Sequence, residues 1–368
     1  MPIPQARLDA LVQEARDTHS SALIVMQDGR VLIDEILDGG GDRPIETMSV
    51  TKAVLSLLVG RAVTLGYLPG ADVPISDLYP EWKQGRKRGV TLRHLMTHTS
   101  GLQNMPGTMP EIYPSPDFVQ LALCAELEQA PGTHFAYNNK AANLICGVLE
   151  QATGQKADDF ARAELFGPLG IENWSWVRDR AGNPHGMAGL SLRPHDLARL
   201  GQLALDGGEV DGAPLISRGW IEESTRPATP LDNEMGLLWW MLFAWRRYTI
   251  TETQVRNVAE LGGTPQQLTA LRQCLCEQVD RARLSNLMRM AGLVAPELPI
   301  APGWEWLIEE HGPSVGFRHD GHLGQFLVIH RDAGLVAVRM IAWDHPAARD
   351  EASGFPGFDN HVLSLLAP

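Results

Sequence analysis

Cysteine is scarce in this chain: among 368 residues only Cys124, Cys146, Cys274 and Cys276 carry a thiol. That density does not make a disulfide scaffold, so the fold must rest on an ordinary apolar core. Cys274 and Cys276 would point to different sides of a helix, which argues against a shared metal and for free thiols. Extended runs of lysine and arginine are also missing, and the formal net charge is −13. Such a surface repels phosphate backbones and anionic lipid, which disfavours nucleic acid and membrane as partners. No apolar stretch approaches the roughly 20 residues that cross a bilayer. The segment Met1-Pro2-Ile3-Pro4-Gln5-Ala6-Arg7 lacks a basic stretch followed by an apolar one. It does not read as a secretory signal, and the cytoplasm is the expected compartment. Internal repeats and low-complexity segments are absent as well.

What is present is a globular composition, 44 % hydrophobic and 20 % charged, long enough for one large or two moderate domains. Leu8, Leu11, Val12 and Ala15 predict an amphipathic helix over 5–18. Ala22 to Met26, the turn Gln27-Asp28-Gly29-Arg30 and Val31 to Ile33 read as a hairpin. A second hairpin is expected from Phe326 to Ile341 around Arg331-Asp332-Ala333-Gly334, with a closing helix from His361 to Ala367. Strands at both ends and helices between them predict an α+β fold. One antiparallel sheet is built from both chain ends and flanked by helices, with a helical lobe beside it. The expected division is 1–75 with 235–368 as the α/β lobe and 76–234 as the mainly helical lobe, together one catalytic unit. Within the former, 249–292 reads as an inserted helical hairpin. Thr251 with Gln254 and Thr264 with Gln267 make capping-box patterns, and Leu268, Leu271, Leu275 and Val279 mark an apolar face. Such an insertion is either a stabilising appendage or a lid over the site.

Three motifs carry chemistry. Ser49-Val50-Thr51-Lys52 opens a segment that is apolar nearly all round, so its helix should be buried centrally. Ser49 and Lys52, three apart, share a helix face. The serine N–H at a helix N-terminus can donate to a developing oxyanion, and a desolvated lysine has a lowered pKa and can act as a base. A Ser-x-x-Lys tetrapeptide by itself is also an ordinary N-terminal capping pattern. In Tyr137-Asn138-Asn139 the phenol could shuttle a proton if nearby cations lower its pKa. The Asn139 amide could hold a substrate carbonyl and orient Lys52, or simply cap a helix. In His319-Asp320-Gly321-His322 the glycine, placed on an edge strand, permits close backbone approach by substrate, and the His322 N–H could be a second oxyanion donor. The plainer reading there is a glycine-rich strand entry with surface histidines.

Ser49-x-x-Lys52, Tyr137-x-Asn139 and His319-x-Gly321 resemble, in order and spacing, the three motifs of class C β-lactamases and their relatives, among them DD-peptidases, D-aminopeptidases and β-lactamase-fold esterases. The flanks are similar too: Leu95-Met96-Thr97-His98-Thr99-Ser100-Gly101-Leu102, and Gly189-Leu190 leading to Asp196-Leu197-Ala198-Arg199. The likeness runs from about residue 22 to 240 and resumes at about 316; the insertion departs from it. It implies a β-lactamase/transpeptidase-like fold and an acyl-enzyme on Ser49, with Lys52 and Tyr137 managing the proton and the base left open between them. Ser49, Asn139, His319, Asp320, Gly321 and His322 would bind substrate and oxyanion, with no metal and no cofactor.

His94 and His98, four apart, could ligate zinc on a helix face, but no His-Glu-x-x-His pattern or third ligand accompanies them. Ser100 is not a rival nucleophile, because the chain has no Gly-x-Ser-x-Gly elbow. Trp239, Trp240, Trp304 and Trp306 read as core before pocket, and the last two are the alternative candidates for lining an acyl pocket. A non-catalytic binding protein on this fold predicts the loss of a catalytic residue, and none is lost. Within the enzyme reading, the resemblance points the side chain of Asp320 at the substrate, where a hydroxyl would normally bind a carboxylate. The expected substrate is therefore a small neutral ester, with D-amino-acid peptides or amides next and β-lactams turned over weakly.

Overall fold

The computed structural model describes residues 3–105, 110–293, 298–299, 305–350 and 354–367. Two compact units emerge, Met1–Leu242 with Gly316–Gly354, and Phe243–Val315 with Phe355–Pro368.

The first unit is organised by a six-stranded sheet. Its strands are β1 (Ala22–Gln27), β2 (Arg30–Ile36), β3 (Trp240–Phe243), β4 (Ser314–Gly321), β5 (Gln325–His330) and β6 (Leu335–Met340), in the order β2-β1-β6-β5-β4-β3. Both chain ends thus supply one sheet, and the pairs β2–β1, β1–β6, β6–β5 and β5–β4 are antiparallel. The first hairpin turns at Asp28 and Gly29, whose φ of 49° and 75° match the twist that a two-residue hairpin loop requires. Ala22, Leu23, Ile24 and Val25 are all fully buried. A strand covered on both faces has no reason to alternate, which is why β1 reads as a continuous apolar run. The helices Gln5–Asp17 and Pro194–Leu205 pack on this sheet. Gly201 lets the second come close, since a Cβ there would lie 2.8 Å from both Leu327 and Val336.

Beside the sheet, the helix Thr51–Thr64 is buried from Thr51 through Gly60 and packs against the helix Asn139–Thr153. Its apolar circumference leaves no solvated face, as its sequence predicts. No helix among the described residues is long and apolar enough to cross a membrane.

The second unit differs from the expected helical hairpin. Its capping boxes form at Thr251/Gln254 and Thr264/Gln267, opening the helices Glu252–Glu260 and Pro265–Gln273. The chain then leaves the helix at Cys274, runs as a strand over Cys276–Val279 and forms a third helix, Arg281–Ala291. That strand joins Arg246–Ile250 and Ile308–His311 in a three-stranded sheet. Tyr248, Val255, Val258, Leu271, Cys274 and Leu284 make a separate core. Leu275, expected on the apolar face, is exposed because the helix ends at Gln273, two residues before it. The two crossings into this unit are tied together, with Ala244 N–H donating to Pro313 O at 2.9 Å and Gly312 N–H donating to Trp245 O at 2.9 Å.

Candidate active site

Ser49 is presented by a strand, a strained turn and a helix in succession. Ile45–Glu46 pairs with Leu190–Leu192, and the N–H and hydroxyl of Thr47 both donate to Leu190 O, at 2.8 and 2.9 Å. Met48 follows at φ 49°, a left-handed conformation that costs a residue with a Cβ about 1–3 kcal/mol and persists only when its surroundings enforce it. Met48–Val50 is a 3₁₀ turn feeding the helix Thr51–Thr64, so Ser49 lies just ahead of the α-helix rather than in its first turn. The cap positions belong to Thr47 and Val50, which leaves the half-buried serine hydroxyl to other partners. These are Lys52 Nζ at 3.1 Å and the phenol of Tyr137.

Lys52 is fully buried and donates to the Met187 carbonyl at 2.7 Å. Burial pulls its pKa from 10.5 down to about 7, with Asp320 partly restoring it. Met187 was not evident from sequence. Its own N–H donates to Asn143 Oδ1 at 3.0 Å, so the helix Asn139–Thr153 sets the carbonyl that orients Lys52. Asn139, expected in that orienting role, does not fill it. Asn138 is the cap, its Oδ1 accepting Ala141 N–H at 3.1 Å and its Nδ2 donating to Leu102 O at 2.9 Å. Among the described residues nothing pairs with the buried Oδ1 of Asn139.

Tyr137 lies with its ring 4.9 Å from Lys52 Nζ and 4.5 Å from the ring of His98. Burial raises its pKa above the ordinary phenol value, so the cation-lowered phenol that the sequence allowed is not what this site builds. His98 is buried, and its Nδ1 accepts the Asn138 N–H at 3.1 Å. His94 instead closes the capping box of the helix Leu92–Met96. The helix ends before His98, so the two histidines share no helix face and have separate structural duties.

The third motif ends β4. His319 is buried, and its Nδ1–H donates to Asp320 O at 2.8 Å. Burial pulls its pKa down to about 4, so it is neutral near pH 7 and supplies no cation. Strand alternation turns Asp320 the other way, half-exposed and paired with Arg318, two residues back on the same side. Arg318 also escaped the sequence reading, although that alternation was the available signal. β4 lies between β5 and β3 rather than at an edge. A Cβ on Gly321 would lie 2.8 Å from Thr47 O and 3.0 Å from Ser49 N, so the glycine lets the strand abut the serine turn itself. Gly321→Ala should force these backbones apart and lower kcat at least about tenfold while the melting temperature moves little, because misplaced reacting groups are costly. His322 follows on the surface, in a turn where Leu323 holds φ 66°. Glu46, another residue not singled out beforehand, accepts the Gly189 N–H at 3.1 Å, and burial raises its pKa.

Of the tryptophans, Trp239 is core against Phe317, ring centroids 5.0 Å apart, and Trp240 is half-buried against Phe135. Trp306 packs on the core of the second unit, and Trp304 lies outside the described residues.

The chain is 30 % identical over 203 residues to Esterase EstB of Burkholderia gladioli, covering 47 % of this chain and 51 % of that protein. It is 23 % identical over 251 residues to the 6-aminohexanoate-dimer hydrolase of Paenarthrobacter ureafaciens, covering 60 % and 62 %. It thus spans about half the length of the first and less than two thirds of the second. A penicillin-binding protein homologue from Caulobacter crescentus shares the fold, with a TM-score of 0.60 at 16 % identity over 93 % of each chain. The profile of the Beta-lactamase family matches residues 8–355, and the chain belongs to that family.

Proposed function

We propose that the protein is a serine hydrolase that forms an acyl-enzyme on Ser49 and acts on small neutral esters. The observation that carries this is a fully buried lysine, its pKa near 7, with Nζ 3.1 Å from the Ser49 hydroxyl. A neutral amine accepts the serine proton as Oγ attacks the ester carbonyl, and the oxyanion forms against the N–H groups of Ser49 and His322. Tyr137, a neutral phenol beside Ser49, relays a proton to the departing alkoxide. The C–O bond breaks, alcohol leaves, and water then hydrolyses the acyl-serine to acid and free enzyme. Labelling of Ser49 by a fluorophosphonate tests the reading and separates it from a non-catalytic binding role.

Asp320 and Glu46 favour a second reading, hydrolysis of an amide whose substrate carries a free amine. Likeness to a protein named for 6-aminohexanoate-dimer hydrolysis points the same way. Relative rates on p-nitrophenyl butyrate, D-alanine amide and a chromogenic cephalosporin distinguish the two; a cephalosporin hydrolysed fastest overturns both.

Carboxylate-bearing substrates should be poor because Asp320 is a carboxylate itself and already engages Arg318. In Asp320→Thr the negative charge is gone and Arg318 loses that carboxylate. KM for the cephalosporin should then fall about tenfold, the scale of one charge-assisted hydrogen bond, with p-nitrophenyl butyrate nearly unaffected. An unchanged cephalosporin KM would count against a binding role for Asp320.

A further inference from the structure

We propose that Arg339 is a positioning residue for the oxyanion site, gripping the His322–Gly324 turn so that the His322 N–H faces Ser49. The proposal rests on the reading of Ser49 as nucleophile. Arg339 lies on β6, register-paired with Phe326 of β5, and is fully buried. Its Nη1 donates to Leu323 O at 2.9 Å and to Gly324 O at 2.8 Å. Its Nε donates to Ser20 Oγ at 2.7 Å and its Nη2 to Thr18 O at 2.8 Å. One guanidinium therefore fastens the turn to the end of the helix Gln5–Asp17, whose C-cap is Thr18. A planar fork of five N–H donors suits this task, since it fixes several acceptors at once and stays charged when buried.

The turn needs such a grip. Leu323 holds φ 66°, a conformation that a free chain leaves. A Cβ on Gly324 would lie 2.8 Å from Arg339 Nη1 and 2.3 Å from Gly354 O, so turn and guanidinium are fitted to one another. On the other side of His322, Gly321 abuts the backbone of Thr47 and Ser49. The segment is thus pinned on both flanks, with the donor between them. Burial lowers the pKa of Arg339 to about 9, which marks a charge held in an unfavourable place. An apolar side chain of similar volume would fill the same space without that cost, but it could not hold two carbonyls.

Arg339→Lys keeps the charge and loses the fork. With p-nitrophenyl butyrate, kcat should fall about 10- to 100-fold, short of the loss from removing an oxyanion donor outright. KM should change less than about threefold, and the inhibition constant of an alkyl boronic acid, whose tetrahedral adduct occupies the oxyanion site, should rise with the loss in kcat/KM. Ser20→Ala, which removes a single tie, should reduce kcat about three- to tenfold with the same signature. A folded Arg339→Lys protein with a lowered melting temperature but kcat and boronate affinity within about twofold of the parent would show a merely structural arginine and overturn the proposal. If Arg339→Lys does not fold, Ser20→Ala decides, and unchanged kcat and boronate affinity there overturn it. Labelling of the parent by a fluorophosphonate is run alongside. A label on a residue other than Ser49 sinks the nucleophile reading, whereas a label on Ser49 with unaffected variants sinks only the role of Arg339. Should p-nitrophenyl butyrate prove a poor substrate, the rate of Ser49 labelling replaces kcat.

Discussion

Ser49→Ala will remove ester hydrolysis, with a loss of at least about 10⁴-fold, and fluorophosphonate labelling will vanish with it. The size follows from the chemistry: without Oγ no acyl-enzyme forms, and only binding and oxyanion stabilisation remain. The label in the parent should sit on the peptide containing Ser49. Other serines near the motifs are poorly placed to react. Ser56 is fully buried, and Ser100 is buried with its hydroxyl accepting the Leu102 N–H at 3.4 Å. A label on either, or full activity in the alanine variant, would falsify the nucleophile assignment. Because Ser49 caps neither the 3₁₀ turn nor the helix, the same substitution should leave the melting temperature nearly unchanged.

Lys52→Met should abolish activity and make the protein more stable at neutral pH. Unfolded, Lys52 keeps its proton up to 10.5; folded, only up to about 7. Between those values the unfolded chain binds more protons, so stability rises with pH across that window. The penalty is complete below about pH 7 and disappears above 10.5. A depression of this size corresponds to roughly 5 kcal/mol. Methionine escapes it but orphans the Met187 carbonyl, which returns about 1–3 kcal/mol. Thermal melts at pH 6 and pH 10 provide the check: the variant should exceed the parent by several degrees at pH 6 and lose that advantage at pH 10. In the parent, kcat/KM should climb through pH 7, standing about tenfold below its plateau at pH 6, because only the neutral amine accepts the serine proton. A profile flat from pH 5 to 8 would exclude Lys52 as the base. His319, titrating near 4, contributes nothing to that limb.

Much of this site could be read from the chain because its chemistry is local. The contact between Ser49 and Lys52 follows from their separation of three residues, and the first hairpin follows from Asp28-Gly29. What escaped was carried by backbone atoms or by pairs remote in sequence. The Met187 carbonyl that orients Lys52 has no side-chain signature, and residue 187 is tied to the helix Asn139–Thr153 through Asn143, 44 residues away. Asn138 and Asn139 are chemically identical, and where the helix begins decides which becomes the cap. The strand Cys276–Val279 hides because its exposed Glu277 and Gln278 break the alternation that marks a half-buried strand. Arg339 offers no warning at all: an arginine inside an apolar strand becomes intelligible only when Thr18, Ser20, Leu323 and Gly324 are seen around it.

The paired crossings at Ala244/Pro313 and Trp245/Gly312 bear on how this chain could be rebuilt. They bring the start and finish of a long excursion side by side, where β3 and β4 are already neighbours in the sheet. A stretch whose ends meet can be gained, lost or exchanged without shifting the register of the strands it interrupts, and lengthening it adds little closure entropy. The requirement falls on the C-terminal helix Phe358–Ser364, which groups with that excursion and would need a new partner. The neck is thus a graft point, where the excursion can be shortened or exchanged while the far end of β4, with Gly321 against the serine turn, keeps its place.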